Sequence, residues 1–127
     1  MRAWSSFIRS FSYAFAGIAH TVKTQRNMRI HVAAAIVALV MAWWLEISRN
    51  DVLLVFFSIA LVVSLELMNT AIEATVDLAS PERHEKAKAA KDAAAGSVLV
   101  AAVLSVIVGL YVFGPPILQK LSAWLPA

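Results

Sequence analysis

Three long apolar runs dominate the chain, and short polar segments separate them. The runs cover residues 30–47, 52–79 and 93–113, and the shortest of them has eighteen residues. At about 1.5 Å per residue, eighteen helical residues extend about 27 Å, which is just enough to cross the hydrocarbon layer of a bilayer. Trp43 and Trp44 lie near the end of the first run, where an aromatic belt is expected. The pattern therefore predicts three transmembrane helices.

Residues 1–29 show a different pattern, in which apolar positions recur with a helical period. The apolar positions are spaced by three or four residues, and they are Phe7, Phe11, Phe15, Ile18 and Val22. Arg9 and Lys23 occupy other sides of the same helix. We expect an amphipathic helix that lies on the membrane surface with its basic side towards anionic headgroups. A simple membrane anchor is the alternative.

Turn-forming residues mark the predicted ends of the three runs. The polar segment 48–51 is so short that the second helix must return antiparallel to the first. Pro81 ends the second helix, because proline disfavours a helical conformation in the residue before it. The charged linker 81–92 follows, and Gly114, Pro115 and Pro116 are predicted to break the third helix and leave a tail at 114–127.

Composition agrees with a membrane protein. Of the 127 residues, 61% are hydrophobic and 15% are charged, whereas soluble domains carry about 25% charged residues. The length allows a single domain, and the absence of cysteine excludes disulfides and thiolate metal sites. The net charge of +3 does not indicate nucleic-acid binding, because the basic residues flank apolar runs. The sequence predicts an all-α integral membrane protein.

The distribution of basic residues predicts the orientation in the membrane. Five lie in residues 1–29, four in the linker and two elsewhere. The five are Arg2, Arg9, Lys23, Arg26 and Arg29. The four in the linker are Arg83, Lys86, Lys88 and Lys91, and the remaining two are Arg49 and Lys120. The positive-inside rule then places the N-terminus and the linker in the cytoplasm. We expect a multi-pass protein with a cytoplasmic N-terminus.

Four polar residues on the second predicted helix form its most informative feature. Glu66, Asn69, Glu73 and Asp77 fall within about 80° of one another on a helix, and we call them the polar stripe. Glu66 lies about 21 Å along the helix from Val52, or roughly 9 Å inside the cytoplasmic boundary of the hydrocarbon layer. Ionisable groups at that depth are costly and usually functional. The stripe therefore predicts a site at the cytoplasmic interface.

The residues of the stripe suggest a division of roles. A carboxylate that is partly removed from water is a better base, so Glu66 suits a general base for an alcohol. Glu73, which has access to water, could hold Mg²⁺ together with phosphate oxygens. The structural alternatives are that Asn69 makes an interhelical hydrogen bond and that Glu73 and Asp77 are solvated residues at a helix end. The three histidines share no metal-ligand spacing, and the chain has no Gly-rich phosphate loop. The residues alone leave an enzyme and an ion carrier both open.

Two segments resemble a known family. The run ELMNTAIEATVD at 66–77, followed by HEKAKAAKDAAAGSVLV at 84–100, resembles the prokaryotic diacylglycerol kinase and undecaprenol kinase family. FAGIAHTVKTQRNMRIH at 15–31 is similar to the undecaprenol kinase branch. The resemblance covers nearly all of 7–113. It implies a homotrimer of subunits that each have a surface helix and three spans, and transfer of the γ-phosphoryl group of ATP to a lipid hydroxyl.

The resemblance also implies roles for individual residues. Glu66 stands at the catalytic base position, with Asn69 and Asp77 as polar active-site residues, and Glu73 matches a metal-ligand position. The implied nucleotide contacts are Lys91 and Asp92, the segment from Glu82 to His84, and, on the surface helix, Tyr13 and Arg9. Where the family has a second acidic Mg²⁺ ligand, this chain has Gln25, whose carboxamide oxygen can ligate the ion but supplies no negative charge.

Three hypotheses follow from this reading. The first is a bacterial inner-membrane lipid kinase that uses MgATP, with undecaprenol as the first choice of acceptor and diacylglycerol as the second. The second is a small ion-coupled transporter in which Glu66 alternately binds ion and substrate. The third is a membrane-assembly protein whose polar stripe only holds an oligomer together.

Overall fold

The computed structural model describes residues 2–82 and 84–123, with side chains from residue 6 onwards. It contains four helices, α1 (Arg2–Thr24), α2 (Arg26–Trp44), α3 (Arg49–Ala79) and α4 (Glu85–Ser122), and no strand among the described residues. The predicted all-α class is confirmed. By length and composition, α2, α3 and α4 are long and apolar enough to cross a membrane.

The first helix ends five residues earlier than residue 29, where the surface helix was predicted to end. α1 ends at Thr24, and Gln25 adopts an extended conformation with φ −97° and ψ 121° before α2 begins at Arg26. Residues 26–29 therefore belong to α2. The side chains of Phe7, Phe11, Phe15 and Ile18 on α1 are exposed, and the rings of Phe7 and Phe11 contact each other edge to face at 5.0 Å between centroids. That α1 lies on a membrane surface stays a prediction.

The turn between α2 and α3 is shifted by three residues from the predicted segment 48–51. α2 ends at Trp44, and Ser48 caps α3 with its Oγ, which accepts a hydrogen bond of 3.2 Å from the backbone N–H of Asp51. Asp51 in the first turn is favourable at the positive end of the helix dipole. Glu46 in the turn has a positive φ of 52°, a conformation that side chains rarely adopt. The short turn makes α3 antiparallel to α2, as predicted.

The prediction that Gly114, Pro115 and Pro116 break the third span is wrong. α4 continues through both prolines to Ser122, although neither proline has an N–H to donate to the carbonyl four residues earlier. The helix persists because its far end is packed. Val112 and Phe113 are buried, and they belong to a core cluster that also contains Leu45 of the α2–α3 turn and Val55 of α3. This packing offsets the cost of the two prolines.

α3 and α4 pack against each other more extensively than any other pair of helices. Near the turn between α2 and α3, Lys120 of α4 lies over the ring of Trp44 at 4.7 Å from its centroid. Near the opposite end, Thr21 of α1 and Met28 of α2 are almost completely buried. Arg83 and residues 124–127 of the predicted tail lie outside the described residues.

Candidate active site

Burial changes steeply along the polar stripe on α3. Glu66 is 1% exposed and Asn69 is 7% exposed, whereas Glu73 is half-buried and Asp77 is exposed. The stripe runs from the middle of the helix bundle to the end of α3 at Ala79. One helix therefore presents a buried carboxylate and a solvated carboxylate about 16 Å apart on one side.

Two oxygen atoms at the buried end of the stripe lack a hydrogen-bond partner. They are Oε2 of Glu66 and Oδ1 of Asn69. The amide of Asn69 instead donates from Nδ2 to Oε1 of Glu73, at 3.2 Å. Buried polar atoms are usually paired, and leaving one unpaired costs free energy. These two acceptors are suited to a ligand that brings its own donor, such as an alcohol hydroxyl.

Three helices surround these atoms and form a cleft of about 280 Å³, which we call the carboxylate cleft. α3 contributes Glu66, Asn69 and Glu73. α2 contributes Asn27 and His31, and α4 contributes small and apolar side chains. Neither Asn27 nor His31 was among the site residues predicted from the sequence, where His31 stood out only as a histidine without metal-ligand spacing. Their spacing of four residues, which places both on one face of α2, was the available signal.

A second cavity lies beside the connection between α3 and α4, and we call it the connection cavity. It has a volume of about 630 Å³, and five of the predicted site residues line it: Asp77, Glu82, His84, Lys91 and Asp92. His84 caps α4 by accepting a hydrogen bond at Nδ1 from the backbone N–H of Lys86, at 3.1 Å. This hydrogen bond holds the imidazole ring at the N-terminus of α4, beside the free N–H groups of its first turn.

Two ion pairs organise the charges of the connection cavity. Lys91 Nζ donates to Asp77 Oδ1 at 2.7 Å, and Lys88 contacts Asp92 one turn away on α4. Lys91 lies before the apolar part of α4. The hydrogen bond to Asp77 raises the pKa of Lys91. The lysine ammonium is a compact positive charge with three donors, which suits a phosphate ligand.

The two cavities are neighbours because the polar stripe connects them. Glu73 lines the carboxylate cleft, and Asp77, one turn further along α3, lines the connection cavity. A group bound beside Lys91 is therefore about one helical turn from a group bound beside Glu73. The candidate base Glu66, the candidate metal ligand Glu73 and, through its contact with Asp77, the candidate phosphate-binding Lys91 therefore follow one another along the polar stripe.

Three predicted site residues lie outside both cavities. Tyr13 and Arg9 are exposed on α1, and neither lines the carboxylate cleft or the connection cavity. Gln25 makes no side-chain cap at the start of α2 and does not line the cleft that contains Glu73. Within the described residues, no group of three or more His, Asp or Glu side chains could hold a metal ion. The roles of Tyr13, Arg9 and Gln25 therefore stay predictions.

Comparison with known proteins points to one family. The family model for prokaryotic diacylglycerol kinase matches residues 12–113. The undecaprenol kinase of Bacillus subtilis is 49% identical over 109 residues, which cover 86% of this chain and 89% of that protein. A diacylglycerol kinase of Synechocystis is 42% identical over 92% of this chain and 69% of its own length. The diacylglycerol kinase of Escherichia coli is 32% identical over 82% of this chain and 85% of its own length.

Proposed function

The chain belongs to the prokaryotic diacylglycerol kinase family, and on that premise we propose that it transfers the γ-phosphoryl group of ATP to the hydroxyl of a membrane lipid alcohol. As a member of this family it is a phosphotransferase that acts on an alcohol, which favours a kinase over the ion-coupled transporter. Undecaprenol is our first choice of acceptor, since the relative from Bacillus subtilis is named an undecaprenol kinase. Diacylglycerol is the second choice.

The observation that carries the proposal is the unpaired, buried Oε2 of Glu66 in a cleft that is shared with Asn69 and Glu73. A lipid hydroxyl that enters the cleft can donate to this oxygen. Glu66 then accepts the proton while the hydroxyl oxygen attacks the γ-phosphorus, and ADP leaves. The unpaired Oδ1 of Asn69 offers a second acceptor that orients the hydroxyl.

The connection cavity is suited to the nucleotide. Lys91 and Lys88 supply positive charge there, and the first turn of α4 supplies backbone N–H groups. Asp77 holds Lys91 by a hydrogen bond, so a phosphate that binds Lys91 competes with this carboxylate. We infer that the phosphates of ATP lie beside the start of α4 and that the γ-phosphoryl group points towards Glu73.

Mg²⁺ fits this site only as an ion shared with the nucleotide. The described residues provide no cage of three acidic or imidazole ligands, and Gln25 does not line the cleft of Glu73. Mg²⁺ is commonly held by one or two carboxylates together with phosphate oxygens and water. Glu73 would be its carboxylate ligand, and the ion would neutralise charge on the phosphates.

The assembly and location of the protein complete the proposal. We propose a homotrimer in the bacterial inner membrane, with the N-terminus and the α3–α4 connection in the cytoplasm and with α1 on the membrane surface. The basic residues of α1 and of the connection support this orientation. It places the connection cavity on the side of the membrane where ATP is available.

The test is transfer of labelled phosphate from ATP to undecaprenol and to diacylglycerol, offered in parallel in mixed micelles. Wild-type protein should label at least one lipid, and Glu66→Gln should lower the rate roughly 10²- to 10⁴-fold, because it removes the general base. Glu46→Gln, the same change at the exposed outer turn, is the matched control and should retain full activity. Folded wild-type protein that labels neither lipid would overturn the proposal.

A further inference from the structure

Each phosphate transfer leaves a proton inside the helix bundle. In the proposed function, Oε2 of Glu66 takes the proton of the acceptor hydroxyl, and this oxygen is buried without a hydrogen-bond partner. The residue as a whole is only 1% exposed. Glu66 must return to its carboxylate form before it can act as a base for the next acceptor. A proton therefore has to leave a carboxyl group that has almost no contact with water.

The carboxylate cleft contains an imidazole that is able to carry this proton. Among the described residues that line the cleft, the titratable ones are Glu66 and Glu73 of α3 and His31 of α2. The side chains that α4 contributes are those of alanine, valine and leucine. Imidazole groups accept and release protons near neutral pH and serve as proton shuttles in other proteins. His31 is therefore the candidate for the transfer of protons out of the cleft.

The two other polar groups beside Glu66 are less suited to this task. The amide of Asn69 does not titrate, and its Nδ2 donates to Oε1 of Glu73 at 3.2 Å. Glu73 accepts that hydrogen bond and is the carboxylate that we assign to Mg²⁺, so a proton on Glu73 would compete with the ion. Asn69 cannot accept the proton, and Glu73 can accept it only at the expense of its own role.

His31 lies between the buried base and the open end of the cleft. Glu66 is buried, His31 is half-buried, and Asn27 is exposed, although all three line the same space. Asn27 precedes His31 by one turn of α2, or about 6 Å, and lies next to the start of the helix at Arg26. The cleft of about 280 Å³ has room for water molecules between these polar groups. The order of burial defines a path from Glu66 to the cytoplasmic rim.

We propose that His31 relays the proton of Glu66 to water at the rim of the cleft, beside Asn27, after each phosphate transfer. This inference rests on the proposed function and concerns the recovery of its base. The O–H bond at Oε2 of Glu66 breaks, its electron pair stays on the carboxylate, and the proton passes directly or through one water to a ring nitrogen of His31. The imidazolium then releases a proton to water, which restores the starting charge of both side chains. His31 acts through Glu66 and need not touch the acceptor.

His31→Gln tests the relay, because glutamine keeps a hydrogen-bonding side chain but does not titrate. His20→Gln is the matched control, since His20 is exposed on α1 and lines neither the carboxylate cleft nor the connection cavity. Both variants are first shown to match the wild type in helical content and elution volume. Transfer of labelled phosphate from ATP to undecaprenol and to diacylglycerol is then followed by rapid quenching, so that the first turnover is measured separately from later ones.

The expected result is a variant that works once at full speed and then slowly. The first turnover of His31→Gln should stay within about twofold of the control, because Glu66 starts as a carboxylate and needs no relay. Later turnovers should slow roughly 10- to 100-fold, which produces a burst of about one phosphorylated lipid per site. Raising the pH should accelerate these later turnovers, since hydroxide then removes the proton of Glu66 directly.

His31→Ala provides a second measurement, because it leaves space in the cleft for free imidazole. Added imidazole should restore the later turnovers in proportion to its concentration and leave the first turnover unchanged, and no restoration would contradict the relay. The inference is overturned if the first turnover of His31→Gln slows as much as the later ones, since His31 would then position the reactants. It is also overturned if neither phase slows. Wild-type protein that labels neither lipid would instead overturn the proposed function.

Discussion

The Nζ atom of Lys91 lies 2.7 Å from Oδ1 of Asp77 and joins α4 to α3 across fourteen residues of sequence. Both residues line the connection cavity, at the end of the bundle where α3 leads into α4. It also connects the polar stripe, which carries the candidate base, to the lysine that we assign to the phosphates. Its properties therefore bear on both stability and activity.

Asp77→Asn should shift the alkaline limit of nucleotide use to lower pH. The hydrogen bond to Asp77 raises the pKa of Lys91 above its ordinary value of 10.5. The stability from this pair is fully present below that value and is lost as the pH rises through the raised pKa of the folded state. In the variant, Lys91 should lose its proton earlier, and kcat/KM for ATP should fall at lower pH.

The pH dependence of kcat/KM for ATP, measured from neutral to strongly alkaline pH, checks this prediction. Asp51→Asn, in the first turn of α3 at the opposite end, is the control and should follow the wild-type profile. Both lysine and aspartate are partly exposed, so we expect little change in thermal stability at neutral pH. Superimposable profiles for Asp77→Asn and wild type would contradict the role of the pair.

Asn69→Leu should separate activity from stability. The change removes the donor to Glu73, and hydrogen bonds to charged groups are worth about 1.5–3 kcal/mol, so we expect roughly a 10- to 100-fold loss of phosphate transfer. It also removes the buried, unpaired Oδ1, whose burial is costly, so the thermal midpoint should stay the same or rise. Asn50→Leu on the exposed first turn of α3 serves as control. A large fall in the midpoint would instead indicate that Asn69 is needed for folding.

Gln25→Glu should lower the Mg²⁺ concentration required for half-maximal activity. The variant adds a negative charge at the start of α2, where the helix dipole favours it and where the resemblance to the family implies an acid. Gln119→Glu makes the same change near the end of α4 and should leave the Mg²⁺ requirement unaltered. The measurement is a Mg²⁺ titration at saturating ATP. Equal requirements in the Gln25→Glu variant and wild type would rule out Gln25 as a weak ligand.

Replacing Pro115 and Pro116 together by alanine should raise the thermal midpoint in detergent. Each proline in the interior of α4 lacks an N–H and costs the helix up to about 3 kcal/mol relative to alanine, part of which the packing recovers. Activity should not change, because both residues lie near the α2–α3 turn, far from Glu66. Pro81→Ala, in the non-helical connection, should give no comparable gain. A lower midpoint in the double variant would mean that the prolines shape the core around Phe113.

Much of the fold was predictable because it depends on local pattern. The second span was predicted at 52–79, and α3 covers Arg49–Ala79, since an unbroken apolar run and Pro81 determine its extent. The family could also be recognised, because the residues of the stripe and of 84–100 are specific to it. The failure at Pro115 and Pro116 has a physical cause. Local propensity opposed a helix there, and the burial of Val112 and Phe113 overrode it.

The sequence by itself determined that Glu66, Asn69, Glu73 and Asp77 share one side of a helix, because a period of 3.6 residues requires nothing beyond the helix. Only the tertiary structure decided what that side faces. Glu66 is buried, Asp77 contacts Lys91, and His31 lines the carboxylate cleft, all because of where α2 and α4 cross α3. Those crossings follow from the side-chain shapes of three helices at once, and no single segment of the chain contains them.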